Sequence, residues 1–81
     1  MTGTVKILFF GATADITGER HIHLTIPKDM IAKSIFDDLL SRFPELFQHR
    51  LLYALNQQYA TGKEIVRDGD ELAIFTAVSG G

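Results

Sequence analysis

The chain ends Val78-Ser79-Gly80-Gly81, and the two glycines are the first residues whose type and place suggest chemistry. Glycine has no Cβ, so a Gly-Gly segment is thin enough to thread a narrow channel and reaches backbone angles closed to other residues. The carbonyl of a terminal glycine is also sterically open. A carboxylate acylates poorly until its oxygen becomes a good leaving group. ATP-dependent adenylation would provide that by forming a mixed anhydride at Gly81, and a sulfur nucleophile that displaced AMP would leave a thiocarboxylate. The alternative is a frayed, solvated end, because termini are commonly poorly ordered. Diglycine alone is too short a motif to decide between the two.

Other candidate groups are weaker. His21 and His23 share a strand face at a spacing a metal can use, but no Asp, Glu or Cys partner is identifiable, so solvated histidines are expected and no metal site. Asp37 and Asp38 are adjacent on a predicted helix and point in different directions, which unfits them as an acid/base pair. Asp68 and Asp70 flank Gly69 in a turn signature and read as turn-forming residues. Ser79 has no histidine arranged to activate it. With no cysteine in the chain, any thioester, disulfide or thiolate metal site on its own side chains is excluded.

The elements that must position the tail follow from length and pattern. A chain of 81 residues forms one domain, too small for a deep private cavity. Hydrophobic residues at 46% against 22% charged mark a folded domain and not a disordered tail. A net charge of −2 with dispersed Lys and Arg offers no basic stripe for phosphates, so nucleic acid is not expected as a partner. Neither an apolar leader nor a run long enough to span a bilayer is present, so a soluble, cytoplasmic protein with no membrane association is the expectation.

Residues 5–10 are β-branched and aromatic, and residues 21–26 alternate polar and apolar, which predicts a first hairpin around a loop containing Gly11, Asp15 and Gly18. Pro27 ends the second strand. Asp29 is then positioned as the N-cap of a helix with apolar residues at Ile31, Ile35, Leu39 and Phe43, flanked by Phe36 and Leu40, and Pro44 stops it. A third strand is predicted over 51–56, a polar turn from Gln57 leads to Ile65 and Val66, and the Asp68-Gly69-Asp70 turn opens a last strand over 71–75. Strand, strand, helix, strand, strand predicts an α+β fold of two layers: a mixed sheet of four to five strands on one main helix, the ubiquitin-like β-grasp arrangement. Its first and last strands lie parallel at the centre. The predicted division is a domain over residues 1–75 and a flexible C-terminal tail over 76–81.

Phe9-Phe10, the segment Ala14-Asp15-Ile16-Thr17-Gly18, Ala54-Leu55-Asn56-Gln57, Asp68-Gly69-Asp70-Glu71-Leu72-Ala73 and Val78-Ser79-Gly80-Gly81 together resemble the small subunit of molybdopterin synthase. Nearly the whole chain is covered. The resemblance implies that an E1-like adenylyltransferase, which uses the ATP, activates Gly81, and that a persulfide donor converts it to the thiocarboxylate. The tail, Val78 to Gly81, then inserts into the large subunit of a heterotetramer, where sulfur passes to a cyclic pyranopterin to form the dithiolene. This chain itself binds no cofactor under that reading. Thr76-Ala77 stands where many relatives have two prolines, which bears on the stiffness of the exit and leaves the diglycine chemistry untouched. Related sulfur carriers, of thiamin or tRNA thiolation, and protein modifiers conjugated to lysines share the fold, so fold alone does not choose among them.

Strand parity supplies a partner surface. If Val5, Ile7 and Phe9 face the helix, Lys6, Leu8 and Phe10 face away. The same rule sends Leu72 and Ile74 inward and Ala73 and Phe75 outward. Leu8, Phe10, Ala73 and Phe75 are then expected to form an apolar patch beside the root of the tail, extended by Tyr59, for the large subunit to dock on.

Overall fold

The computed structural model describes residues 2–76. Its elements are β1 (Gly3–Phe9), α1 (Ala12–Thr17), β2 (His21–Ile26), β3 (Met30–Ile31), α2 (Ala32–Arg42), a 3-10 helix (Pro44–Gln48), β4 (Leu51–Leu55), β5 (Gln58–Tyr59), β6 (Ile65–Val66) and β7 (Glu71–Thr76). Five strands form a mixed sheet in the order β2-β1-β7-β4-β5, and β3 pairs with β6 in a small separate ladder. β1 runs parallel to β7, while β1–β2, β4–β7 and β4–β5 are antiparallel. With α2 across one face, this is the two-layer β-grasp that the element order predicts.

The core lies between sheet and helix. Val5, Ile7 and Phe9 of β1, Leu24 and Ile26 of β2, and Leu72 and Ile74 of β7 are buried against Ala32, Ile35, Phe36 and Leu39 of α2. Each large side chain so buried contributes about 1.5–3 kcal/mol of transfer free energy. Phe36 stacks on Tyr53 with ring centroids 3.4 Å apart, and Phe9 meets Phe43 edge-on at 5.7 Å. Burial raises the Tyr53 phenol above its ordinary pKa, reinforced by the nearby Asp37 carboxylate.

Four details correct the sequence reading. Residues expected as a loop between β1 and β2 form α1, bracketed by Gly11 and by Gly18, which closes it in the left-handed region at φ 74°. Asp29 does not cap α2: the N-cap is Ile31, and the first helical N–H groups are satisfied from a distant loop, Ala32 N donating to Glu64 O at 2.8 Å and Lys33 N to Gly62 O at 2.9 Å. With those donors already bonded, no side-chain cap is required. Ile31 consequently belongs to β3 and is exposed, and Ala32 takes its place in the core. The third strand stops at Leu55, because Asn56 and Gln57 both have positive φ (49° and 71°) and make a two-residue hairpin turn into β5.

A turn with positive φ at both central residues favours Asn-Gly, and an L residue other than Asn or Asp is strained there. Gln57→Gly is therefore expected to stabilise the domain by up to about 1 kcal/mol, read as a higher urea midpoint. Asn56 is left in place because its side chain bonds Asp70 and Glu71 across the sheet end.

The loop that serves α2 is itself held by a carboxylate. Glu64 accepts from Thr61 N at 2.8 and 3.0 Å, from Gly62 N at 2.9 Å and from the Thr61 hydroxyl at 3.1 Å. These donors, the Thr61 N–H first, lower its pKa from 4.5 to about 2. A carboxylate with a depressed folded pKa adds stability that is fully present above the unfolded value and fades as pH falls toward the folded one. Acid titration of stability should thus show a loss between pH 4.5 and about 2 that Glu64→Gln removes. A variant with the same acid profile as the parent would refute this.

Candidate functional site

The two central strands fix where the chain leaves the sheet. Lys6 N donates to Asp70 O and Phe10 N to Ile74 O, both at 3.0 Å, so β7 is tied to β1 along its length. At its start, Asp68 accepts from Thr4 N at 2.8 Å and Asp70 accepts from Arg67 N at 2.7 Å, which locks the Asp-Gly-Asp turn onto β1. Both aspartates therefore serve the turn. At its end, the hydroxyl of the fully buried Thr13 of α1 lies within donating distance of two carbonyls, Phe10 O at 2.7 Å and Ile74 O at 3.0 Å, and shares its single proton between them. Ile74 O, which also accepts from Phe10 N, is thereby tied to both β1 and α1 just before the strand ends at Thr76. Thr13 is the positioning residue that the sequence did not expose, since its segment carries too short a pattern to read as a helix.

Val78, Ser79, Gly80 and Gly81, the residues to which the sequence assigns the chemistry, lie outside the described residues. Their root is described. On the sheet face away from α2, the register runs Leu8 beside Ala73, Ala73 beside Ala54 and Ala54 beside Tyr59, one apolar row across four strands. Phe75 lies opposite Leu52 in the next row, and its ring centroid is 6.0 Å from that of Tyr59. Tyr59 is 76% exposed and Leu52 36%, so the row ends in open apolar surface. Phe10 follows β1, 52% exposed, with its N–H held by Ile74. Leu52 and Ala54 were not assigned to this surface from sequence, because residues 51–55 are all apolar and show no alternation that distinguishes one face from the other.

The remaining candidates take structural positions. Asp37 pairs with Lys33 and Asp38 with Arg42, each at 2.9 Å and one helical turn apart. His21 and His23 are exposed, with ring centroids 5.8 Å apart, and no group of three metal-ligating side chains occurs among the described residues.

This arrangement defines a ubiquitin-like β-grasp protein, and in the sequence its last strand, ending at Thr76, is followed four residues later by the diglycine. The chain belongs to the ThiS family, which it matches over residues 7–81. It is 35% identical over 79 residues to the molybdopterin synthase sulfur carrier subunit of Arabidopsis thaliana, covering 95% of this chain and 82% of that one. The crystal structure of SAMP1 from Haloferax volcanii superposes with a TM-score of 0.84 at 26% identity, over 98% of this chain and 100% of that one. A complex of subunits 1 and 2 of molybdopterin-converting factor from Helicobacter pylori contains a chain with the same fold, TM-score 0.67 at 21% identity, over 96% of this chain and 99% of that one.

Proposed function

We propose that this chain is the sulfur-carrier small subunit of a molybdopterin synthase. The observation that carries the reading is the 35% identity, over 95% of this chain, to a molybdopterin synthase sulfur carrier subunit, with the family match extending to Gly81. The relatives named as sulfur carrier subunits support the pathway.

In this reading the Gly81 carboxylate attacks the α-phosphate of ATP on an E1-like adenylyltransferase, releasing pyrophosphate. The terminal sulfur of the donor's persulfide then displaces AMP to give an acyl disulfide, and a second thiol of the donor cleaves its S–S bond, so that the donor leaves as a disulfide and the thiocarboxylate remains on Gly81. Gly80 keeps the segment narrow. Val78 and Ser79 enter the large subunit, and the sulfur passes to the cyclic pyranopterin. The large subunit docks on Leu8, Phe10, Ala73, Phe75 and Tyr59, the apolar surface beside the root of the tail. The Helicobacter pylori complex of subunits 1 and 2 supports a partner of that kind. This chain contributes the acyl group, and the nucleotide stays with the activating enzyme.

The test is intact-mass analysis of the chain incubated with its activating enzyme, ATP and a persulfide donor. A sulfur-for-oxygen increment located at Gly81 is expected. The likeness to SAMP1 favours a second reading, as a protein modifier. Isopeptide adducts on substrate lysines in the same incubation, without the sulfur increment, would replace the first reading with the second.

A further inference from the structure

β2 is an outer strand of the five-stranded sheet, and no other described strand covers its far side. Its ladder with β1 shows which backbone groups that leaves free. Phe9 N donates to Arg20 O at 2.9 Å, which marks that pair as hydrogen-bonded. Antiparallel ladders alternate, so Ile22, Leu24 and Ile26 bond to β1, while His21, His23 and Thr25 aim their N–H and C=O groups away from the sheet. Exposed edges are usually blunted by Lys, Pro or a bulge, and the run His21–Ile26 contains no Lys or Pro and pairs in unbroken register. The residues with free backbone groups thus include both histidines, whose rings stand on the open face.

The ring spacing suits a shared metal ion, the two planes standing at 84° to each other. At a Zn–N distance of 2.0–2.1 Å an ion sits about 3.2 Å from each ring centroid. Two centroids 5.8 Å apart then subtend roughly 130° at a shared ion, and closing by about 0.6 Å reaches the tetrahedral angle. Two imidazoles fill half of such a site. The chain has no cysteine, and the described residues offer no third ligand. We infer that a zinc-class divalent ion joins two copies of this chain edge to edge along β2, each copy giving His21 and His23. Antiparallel pairing about Ile22 sets His21 of one copy opposite His23 of the other, so all four imidazoles share one face at cross-strand spacing.

The neighbours on that face are Leu8 beside His21, Lys6 beside His23, Thr25 along the strand, and Glu71 beyond Lys6. Lys6 opposes a cation and Glu71 offsets it. The site lies at the sheet edge opposite Tyr59 and does not depend on the sulfur-carrier reading.

Zinc sulfate titrated into the full-length chain, followed by sedimentation equilibrium, tests it. The expected result is a dimer saturating at one zinc per two chains and reversed by EDTA, with slowed hydrogen exchange at the His23 and Thr25 amides. His21→Ala and His23→Ala should each weaken the zinc-dependent association at least 10-fold while leaving the melting temperature unchanged, since both side chains are exposed. An unchanged mass, a monomer carrying one zinc, or a dimer that persists in the double variant would each overturn the inference.

Discussion

Deleting Gly81 should abolish sulfur transfer while the domain melts at its normal temperature. The folding half follows from where the described core ends. Its last buried residue is Ile74, and the last described strand stops at Thr76, five residues before Gly81. The chemical half is less obvious, because a chain ending at Gly80 still has a terminal carboxylate. What it lacks is reach. One residue of extended chain spans about 3.3–3.6 Å, and a reacting centre displaced by even 1 Å can lose about 100-fold in rate. Both the adenylation site and the large subunit's cavity would receive a carboxylate withdrawn by several times that tolerance. Calorimetric melting and a reconstituted synthase assay measure the two halves separately. Normal pterin conversion by the truncated chain would exclude a reaction at the Gly81 carboxylate, whatever the fold does.

The fold was legible where one periodicity governed a segment. Val5, Ile7 and Phe9 against Lys6 and Leu8, and Leu72 and Ile74 against Ala73 and Phe75, are strict alternations, and the burial follows them. Ile35 and Leu39 have the four-residue spacing of a helix face on a sheet, and both are buried. The Asp68-Gly69-Asp70 signature gave a turn because Gly69 takes φ 87° and each flanking carboxylate bonds a backbone N–H.

Legibility failed where a distant segment supplied what a local residue ordinarily would. Asp29 looked like a cap only while the carbonyls of Gly62 and Glu64 were unknown. Thr13 looked like a loop residue because its partners, Phe10 O and Ile74 O, lie three and sixty-one positions away. The edge position of β2 follows from topology that no stretch of the histidine strand encodes by itself. The candidate site divides the same way: the outward faces of β1 and β7 could be read residue by residue, whereas Leu52 joined them only once its register with Phe75 was known.

Two neighbours on the last strand should give opposite phenotypes. Ile74 is 1% exposed and belongs to the core between sheet and helix, whereas Phe75 is half-buried on the other face, its ring leaning on the 76% exposed Tyr59. Ile74→Ala removes atoms from a closed cluster, and large-to-small changes of that kind cost about 2–5 kcal/mol. On a domain this small that is a large share of the total, so most of the protein should be unfolded or melt far lower. Phe75→Ala leaves no cavity in the core. It removes the ring at the centre of the surface assigned to the large subunit, where burying one phenylalanine contributes on the order of 2 kcal/mol. Association should weaken roughly 30-fold, since each 1.4 kcal/mol is tenfold, with the melting temperature nearly unchanged. Phe10→Ala should behave as Phe75→Ala does. Titration calorimetry against the large subunit, paired with a melt of each free variant, separates the two effects. Should Phe75→Ala melt as low as Ile74→Ala yet bind normally, Phe75 would be a core residue and the docking surface would lie elsewhere on the molecule.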